Sequence, residues 1–377
     1  MEWEPSTAGG VCRPVVHSSA LCGQLDGGEE RYVLHAACCG DAAIAAVALS
    51  DGCIKVFGIG DGRLAHLTDM HGHGAAVAGI CFRVPGAVAP LHSCAADGTV
   101  RAWDMRTGKE EQRYCVMGEE LTCVSACGPL VAAGGEEGNV HFWDNRNPGK
   151  FLAKFEDTHA TTVTQVQFHA SHAHKFFTAS EDGLLCVFDL ANGLSEDDGF
   201  QAAQNLAAIA EFGFYGMGGG QLWSRSCGEG FVLWDWEAAV KDDMEADGGG
   251  LIAALHDART ALQAVPLAQI DYLIGCHCTP GGHLSLFAGS NGGTVTTFPV
   301  REPGPDGCIF EPSSTIFAGG HSSIVRCIDV VDFDQRICIS GAEDGRICLW
   351  RLDAQSEDSG LSRMLRTPQT NARVSPY

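Results

Sequence analysis

His321-Ser-Ser-Ile-Val325-Arg-Cys-Ile328, followed by Ile337-Cys-Ile-Ser340-Gly-Ala-Glu-Asp344-Gly345-Arg-Ile-Cys-Leu-Trp350, decides the architecture of this 377-residue chain. The same order of residues occurs twice more. His73 and Val77 lead to Phe82, and Ser93-Cys-Ala-Ala-Asp97-Gly98 leads to Trp103-Asp104. His159 and Val163 lead to Phe168, and Thr178-Ala-Ser-Glu-Asp182-Gly183 leads to Phe188-Asp189. Each copy holds a His, a strand four residues on, a strand with Ser or Thr, an Asp-Gly turn and a strand ending in Trp or Phe. Weaker copies run from Asp51-Gly52 to Phe57, Glu137-Gly138 to Trp143-Asp144, Glu229-Gly230 to Trp234-Asp235, and Asn291-Gly292-Gly293 to Phe298. The turn glycines Gly52, Gly98, Gly138, Gly183, Gly230, Gly293 and Gly345 are spaced by 46, 40, 45, 47, 63 and 52 residues.

Each part of the repeat has a physical reason. Asp-Gly and Asn-Gly supply the positive φ that a two-residue hairpin needs. The strand after the turn alternates, as in Thr99-Val100-Arg101-Ala102-Trp103, so that one face can be buried. Further turn signals at Thr107-Gly108-Lys109, Asn147-Pro148-Gly149-Lys150 and Ala191-Asn192-Gly193 each predict a fourth strand. Seven units of four antiparallel strands predict one closed all-β ring, a single seven-bladed propeller, in place of the two domains that the length would allow.

A period near 40–45 residues, with an Asp-Gly turn and a Trp-Asp end, resembles the WD40 β-propellers, and the likeness covers residues 11–352. The resemblance implies a hydrogen-bonded tetrad in each blade that holds all four residue types. His73, Ser93, Asp97 and Trp103 match one tetrad, and His321, Ser340, Asp344 and Trp350 match another. His159, Thr178 and Asp182 match a third whose Trp is replaced by Phe188. The other four blades depart further and are expected to rely on packing. The family also implies closure by an N-terminal strand, here Val11 to His17 completing the last blade. Residues 1–10 then read as a flexible N-terminus and 353–377 as a disordered polar tail. The last blade, a divergent blade six (Leu286-Phe287-Ala288-Gly289-Ser290) and an irregular stretch around Asp271 to Cys276 resemble one WD40 branch of interaction proteins without known catalysis.

Trp103-Asp104-Met105-Arg106 and Trp143-Asp144-Asn145-Arg146 look like the box by which substrate receptors of cullin–RING ubiquitin ligases touch their adaptor. Arg106 and Arg146 are the candidate contacts. The longer box wants an aliphatic residue before Trp, where Ala102 and Phe142 stand, and an Arg that merely caps a hairpin gives the same pattern.

Composition narrows the partners. Lys+Arg total 24 against 47 Asp+Glu, a net charge of −23. Nucleic acid and anionic membranes need a basic footprint, which this chain lacks. Its apolar runs, such as Ala42 to Leu49, are far shorter than the ~20 residues that span a bilayer. Met1-Glu2-Trp3-Glu4-Pro5 lacks the regions of a secretory signal. Many of the 18 cysteines, among them Cys53, Cys81, Cys186, Cys327, Cys338 and Cys348, lie in apolar strand-like runs. They read as reduced core residues of an intracellular protein, in cytoplasm or nucleus.

The remaining features carry a bland reading beside a sharper one. Cys38-Cys39, Cys123/Cys127 and Cys276/Cys278 do not form a paired zinc framework, and His169, His172 and His174 read as a loop rather than a metal tract. The glycine-rich Gly213 to Gly220 fits no phosphate loop and reads as an inter-strand turn. Ala238 to Gly250 is an acidic insertion, a solvated loop or a partner contact, and Arg301 to Ser313 reads as a surface crossing. Thr367-Pro368 and Ser375-Pro376 fit proline-directed kinases, a pattern common by chance. No nucleophile elbow or metalloprotease motif is present, so neither an enzyme nor a cofactor is expected. The reading is a monomeric, non-enzymatic scaffold within a complex, with at least one basic protein partner. The alternatives are a ubiquitin-ligase receptor and a structural subunit of a large ciliary or cytoskeletal assembly.

Overall fold

The computed structural model describes residues 10–12, 14–18, 31–39, 43–60, 63–82, 90–241, 250–262, 269–279, 281–303, 309–311, 315–332 and 337–351. The expected tail, residues 1–9, much of the acidic insertion and parts of the 301–313 crossing lie outside these. Seven sheets follow one another in chain order. Their innermost strands are Val33–Cys39, Val77–Phe82, Leu121–Cys127, Val163–Phe168, Ile209–Tyr215, Tyr272–Cys278 and Val325–Asp332. Each innermost strand packs beside the next, and the last returns to the first, which closes the ring. The chain is a seven-bladed propeller of four-stranded antiparallel blades, with blade six carrying a fifth strand.

Packing explains the ring. Second strands such as Leu91–Ala95 and Ile337–Ala342 are buried along their whole length, so both faces of a blade need cover. The core accordingly consists of seven apolar clusters, each between two neighbouring blades. Ala46, Val56 and Met70 of blade one meet Leu91 and Trp103 of blade two. Phe142 and Phe155 of blade three meet Phe176 and Phe188 of blade four, with ring centroids 5.1 Å apart in two of the pairs. A large side chain buried in this way contributes about 1.5–3 kcal/mol.

Six of the seven turn glycines have a positive φ, and in blade five Glu229, at φ 64°, takes that conformation in place of Gly230. At Gly293, with φ 84°, a Cβ would stand 2.6 Å from the carbonyl of His321. In all seven blades the register slips once near the start of the innermost strand, at Leu34, Ala78, Thr122, Thr164, Ala210, Ile274 and Arg326. A β-bulge at one depth all round the ring adds twist to the strands that form the hub.

Closure differs from the expectation that Val11 to His17 forms one strand. Pro14–Ser18 pairs antiparallel with Ile347–Trp350 and completes blade seven, while Gly10–Cys12 pairs parallel with Thr315–Phe317 at the edge of blade six. Pro14 opens its strand, where a missing N–H disturbs a ladder least. The stretch Asp271 to Cys276 is also more regular than expected, since Tyr272–Cys278 is the innermost strand of blade six. Asn147–Lys150 already belongs to an outer strand, so the hairpin before it turns at Asn145-Arg146. No helix among the described residues is long and apolar enough to cross a membrane.

Removing residues 1–18 strips the outer neighbours from Thr315–Phe317 and Ile347–Arg351 and exposes two strand edges. The melting temperature, followed by circular dichroism, is expected to fall by at least about 5 °C. An unchanged melting curve would show that closure does not depend on this segment.

Candidate functional site

In blade two, His73 Nδ1 lies 3.2 Å from Asp97 Oδ2, and its Nε2 lies 2.7 Å from Ser93 Oγ, to which Trp103 Nε1 donates at 2.8 Å. A carboxylate only accepts, so Nδ1 carries the ring proton and Ser93 donates its hydroxyl proton to Nε2. Blade seven repeats the arrangement. His321 Nδ1 is 3.3 Å from Asp344, and Ser340 Oγ receives Trp350 Nε1 and meets His321 Nε2, both at 2.7 Å. Blade four stops one link short. His159 reaches Asp182 at 3.2 Å and Thr178 at 2.7 Å, and Phe188 supplies a ring but no N–H.

The same carboxylates tie down the connections between blades, accepting the N–H of Gly74, Ala160 and Ser322 at 2.8–2.9 Å. Burial pushes the imidazoles of His73 and His159 below the usual histidine range, against the pull of Asp97 and Asp182. Burial opposes the charge of Asp344, and bonds from His321 and the Ser322 and Arg346 N–H groups outweigh it, holding the pKa at about 2. Ser93, Thr178 and Ser340 are fully buried. The recurring His, Ser and Asp residues therefore wire the blades together and offer no nucleophile to a substrate.

Blade three was expected to rely on packing alone, but it carries its own polar wiring. Glu119, in the connection from blade two, lies two residues before Leu121, whereas the His of blades two, four and seven lies four residues before its strand. Its carboxylate accepts from Asn139 Nδ2 at 3.1 Å, His141 Nε2 at 2.9 Å and the Glu137 N–H at 3.3 Å. Both Glu119 and His141 are buried. The only hint in the sequence is a pair of polar residues, Asn139 and His141, flanking Val140 before Trp143.

The two candidate arginines sit at the hairpins between third and outer strands, away from the Asp-Gly turns. They are not equivalent. Arg146 folds back on Asp144 with two parallel bonds, Nε–Oδ1 2.9 Å and Nη2–Oδ2 2.8 Å, and those bonds draw the carboxyl down to about 2. Arg106 Nη2 stays 3.7 Å from Asp104, and its side chain is 83% exposed. Ala102 and Phe142 are buried in the blades.

The opposite face gathers the Asp-Gly and Glu-Gly turns and the connections between blades. Across blades two to four it exposes Glu120, Glu136, Glu137, Asp157 and Glu181, and Met117, in the connection from blade two to blade three, is 94% exposed. At the hub is a cavity of about 430 Å³ lined from all seven innermost strands. Its charges are compensated. Arg225 pairs with Glu211 at 2.9 Å, and Arg326 Nε with Glu343 at 2.7 Å. His35 opens onto water there, but the surrounding walls and Arg326 lower its pKa to about 4.

The family described as "WD domain, G-beta repeat" matches residues 65–104, 114–144, 149–189 and 311–351. Over 352 residues the chain is 31% identical to the WD repeat-containing protein GTS1 of Arabidopsis thaliana, covering 88% of this chain and 86% of that one. This is a WD40-repeat protein. The WD repeat-containing protein 89 homolog of Dictyostelium discoideum is 26% identical, with 76% and 77% of the two chains covered, which meets the resemblance seen in the last two blades. A chain from the crystal structure of the mitotic checkpoint complex superposes with a TM-score of 0.62 over 85% of this chain and 89% of its own, at 14% identity, and so shares the fold. The WD40 repeats are offset from the blades. The first match begins in the outer strand of blade one and ends at Trp103-Asp104 of blade two, so a single repeat spans two blades.

The histidine-rich loop of this WD40 ring is structural at its centre. His169 Nε2 meets Gly219 O at 3.1 Å, and Nδ1 accepts the N–H of Ser171 and His172. With both nitrogens engaged, His169 has no lone pair for a metal. Gly213 lies in a strand, and Gly216, Gly218 and Gly219 form a turn with positive φ whose carbonyl at Gly219 also receives Trp236 Nε1 at 2.8 Å.

Replacing Glu119 with Ala leaves Asn139 and His141 buried without their acceptor, and is expected to cost about 2–4 kcal/mol in urea unfolding. A loss under about 0.5 kcal/mol would assign blade three to packing alone. Acid should act in two stages. His73, His141 and His159 are held neutral by burial, so the unfolded chain binds more protons once pH drops below 6.5, and stability declines from there. Asp344 then loses its contribution as pH falls from 3.8 through about 2. Stability that stays flat from pH 7 to pH 4 in equilibrium unfolding would contradict the first stage.

Proposed function

We propose that this WD40 protein acts as a non-enzymatic interaction platform, a subunit or adaptor in an intracellular multiprotein complex. The observation that carries the reading is the face where blades two to four expose Glu120, Glu136, Glu137, Asp157 and Glu181, on a chain of net charge −23. Such a surface suits a basic protein, since complementary charge speeds encounter and fixes register. The buried serines of the tetrads and the compensated charges of the hub support a platform over a catalyst. Buried free thiols such as Cys94 and Cys186 support a reducing compartment.

A second reading, a substrate receptor for a cullin–RING ligase, is favoured by Arg106 alone. Its guanidinium projects into solvent and is loosely held, whereas Arg146 would first have to release Asp144.

Purification of the tagged chain at low and at about 0.5 M salt, with identification of co-eluting proteins, tests both. A basic partner is expected at low salt and is expected to be lost at high salt, where charges are screened within a few ångströms. Recovery indifferent to salt contradicts the charge-driven reading, and one stable salt-resistant assembly would make the chain a structural subunit. If an adaptor is recovered, Arg106→Glu should abolish it without moving the melting temperature, and Arg146→Glu should do less.

A further inference from the structure

Among the described residues, blade one shows no tetrad. Its Asp51-Gly52 turn is followed by Cys53, at the place where blade two has Thr99 after Asp97-Gly98. Thr99 is drawn into the wiring, its hydroxyl 2.6 Å from Asp97 and 3.2 Å from His73. Cys53 takes no such part. Its thiol instead faces the outer strand Arg63–Met70, where Asp69 lies opposite Lys55 in the ladder, and the connection after it, where His71 begins the path to blade two. Ligand atoms of Cys53, Asp69 and His71 all lie within 4.8 Å of one another.

We propose that Cys53, Asp69 and His71 form a zinc site with one coordination position left to water. The donor set is one thiolate, one carboxylate and one imidazole, a combination that selects zinc over magnesium or calcium. Zinc bonds of about 2.0–2.3 Å require the three atoms to draw closer by roughly 1 Å. The site can do this from one side: Cys53 is fixed at 5% exposure, while His71 is exposed and free to turn. Two other groups hold Asp69, namely Lys55 Nζ at 2.8 Å on Oδ2 and His66 Nε2 at 2.6 Å on Oδ1. Each carboxylate oxygen has a second lone pair, so both contacts can persist beside a metal bond. A thiolate and a carboxylate neutralise the two charges of the zinc ion, and the Lys55 ammonium on Asp69 leaves the site one positive charge in excess. Arg31 and Asp51, paired at 3.0 Å, act on Cys53 with opposite sign.

A free cysteine thiol is protonated at neutral pH, so Cys53 enters the reaction with its S–H bond intact. Binding forms the Zn–S bond, breaks the S–H bond and delivers that proton to the buffer. The bound ion ties the third strand of blade one to its outer strand and to the connection that supplies His73 to blade two. It should therefore stabilise the fold in proportion to its affinity.

The test uses the full chain stripped of metal with a chelator. Zinc is titrated calorimetrically in buffers of different ionisation enthalpy, and cobalt(II) is used as the spectroscopic probe. One zinc per chain, about one proton released and a thiolate-to-cobalt charge-transfer band are expected. Cys53→Ser should abolish the band, and His71→Ala should weaken zinc binding by at least roughly tenfold, since losing even an outer-shell partner costs that much. His71 is on the surface, so its variant keeps the question open to a clear answer if Cys53→Ser fails to fold. A cobalt band that persists in Cys53→Ser, or zinc binding by His71→Ala equal to that of the parent chain, overturns the proposal.

Discussion

A four-stranded sheet whose two faces are both apolar cannot persist alone in water. Every blade here has that property, most plainly in second strands such as Leu91–Ala95, which are buried from end to end. The only arrangement that covers both faces of every blade is a ring, with each apolar cluster shared between neighbours. Ring closure is therefore the constraint on which the molecule depends. The pairing of Pro14–Ser18 with blade seven and Gly10–Cys12 with blade six brings the beginning of the fold to its end twice over. The offset between sequence repeat and blade works in the same direction, since each repeat crosses a blade boundary.

Within that ring the polar wiring is uneven, and the unevenness carries information. Blades two and seven hold complete four-residue chains, blade four a three-residue chain, and blade three a different chemistry built on Glu119. All four place a buried ionisable residue in the connection between blades and satisfy it with side chains from the neighbouring turn and strand. The common requirement is that the connection be fixed where it passes over the buried ends of the strands. His and Glu are two solutions to it, one with a ring that both donates and accepts, the other with a carboxylate that gathers three donors.

How much of this was legible in the sequence follows from whether the interacting residues share the period. His73, Ser93, Asp97 and Trp103 recur in order, so their wiring could be read from spacing. Glu119, Asn139 and His141 occur once, with no second copy to compare, and Glu119 in a Gly-Glu-Glu stretch looks like one more surface acid. The split of the N-terminal strand was hidden because a short alternating segment fits either neighbour, and only the register across blades six and seven decides. Tyr272–Cys278 was obscured by its glycine and two cysteines, which weaken a strand signal although the ring requires a strand there. Arg106 and Arg146 looked alike as text. Their difference lies in the Asn145-Arg146 turn, tight enough to fold one guanidinium onto its own aspartate. Cys53 and Asp69 are brought together by the pairing of Lys55 with Asp69, a register that no local motif announces.

The strand that closes blade seven also sets how the molecule responds to mechanical load. Pro14 lies opposite Trp350, and Ser18 opposite Ile347. The segments entering at Pro14 and leaving at Arg351 thus depart from the same end of an antiparallel pair. Tension between them falls on one hydrogen-bonded pair at a time, as in a zipper pulled from its open end, and not on the whole ladder at once as in shear. A ring held by seven shared cores would, under such a pull, yield along the edges formed by Gly10–Cys12 and Pro14–Ser18 before its cores.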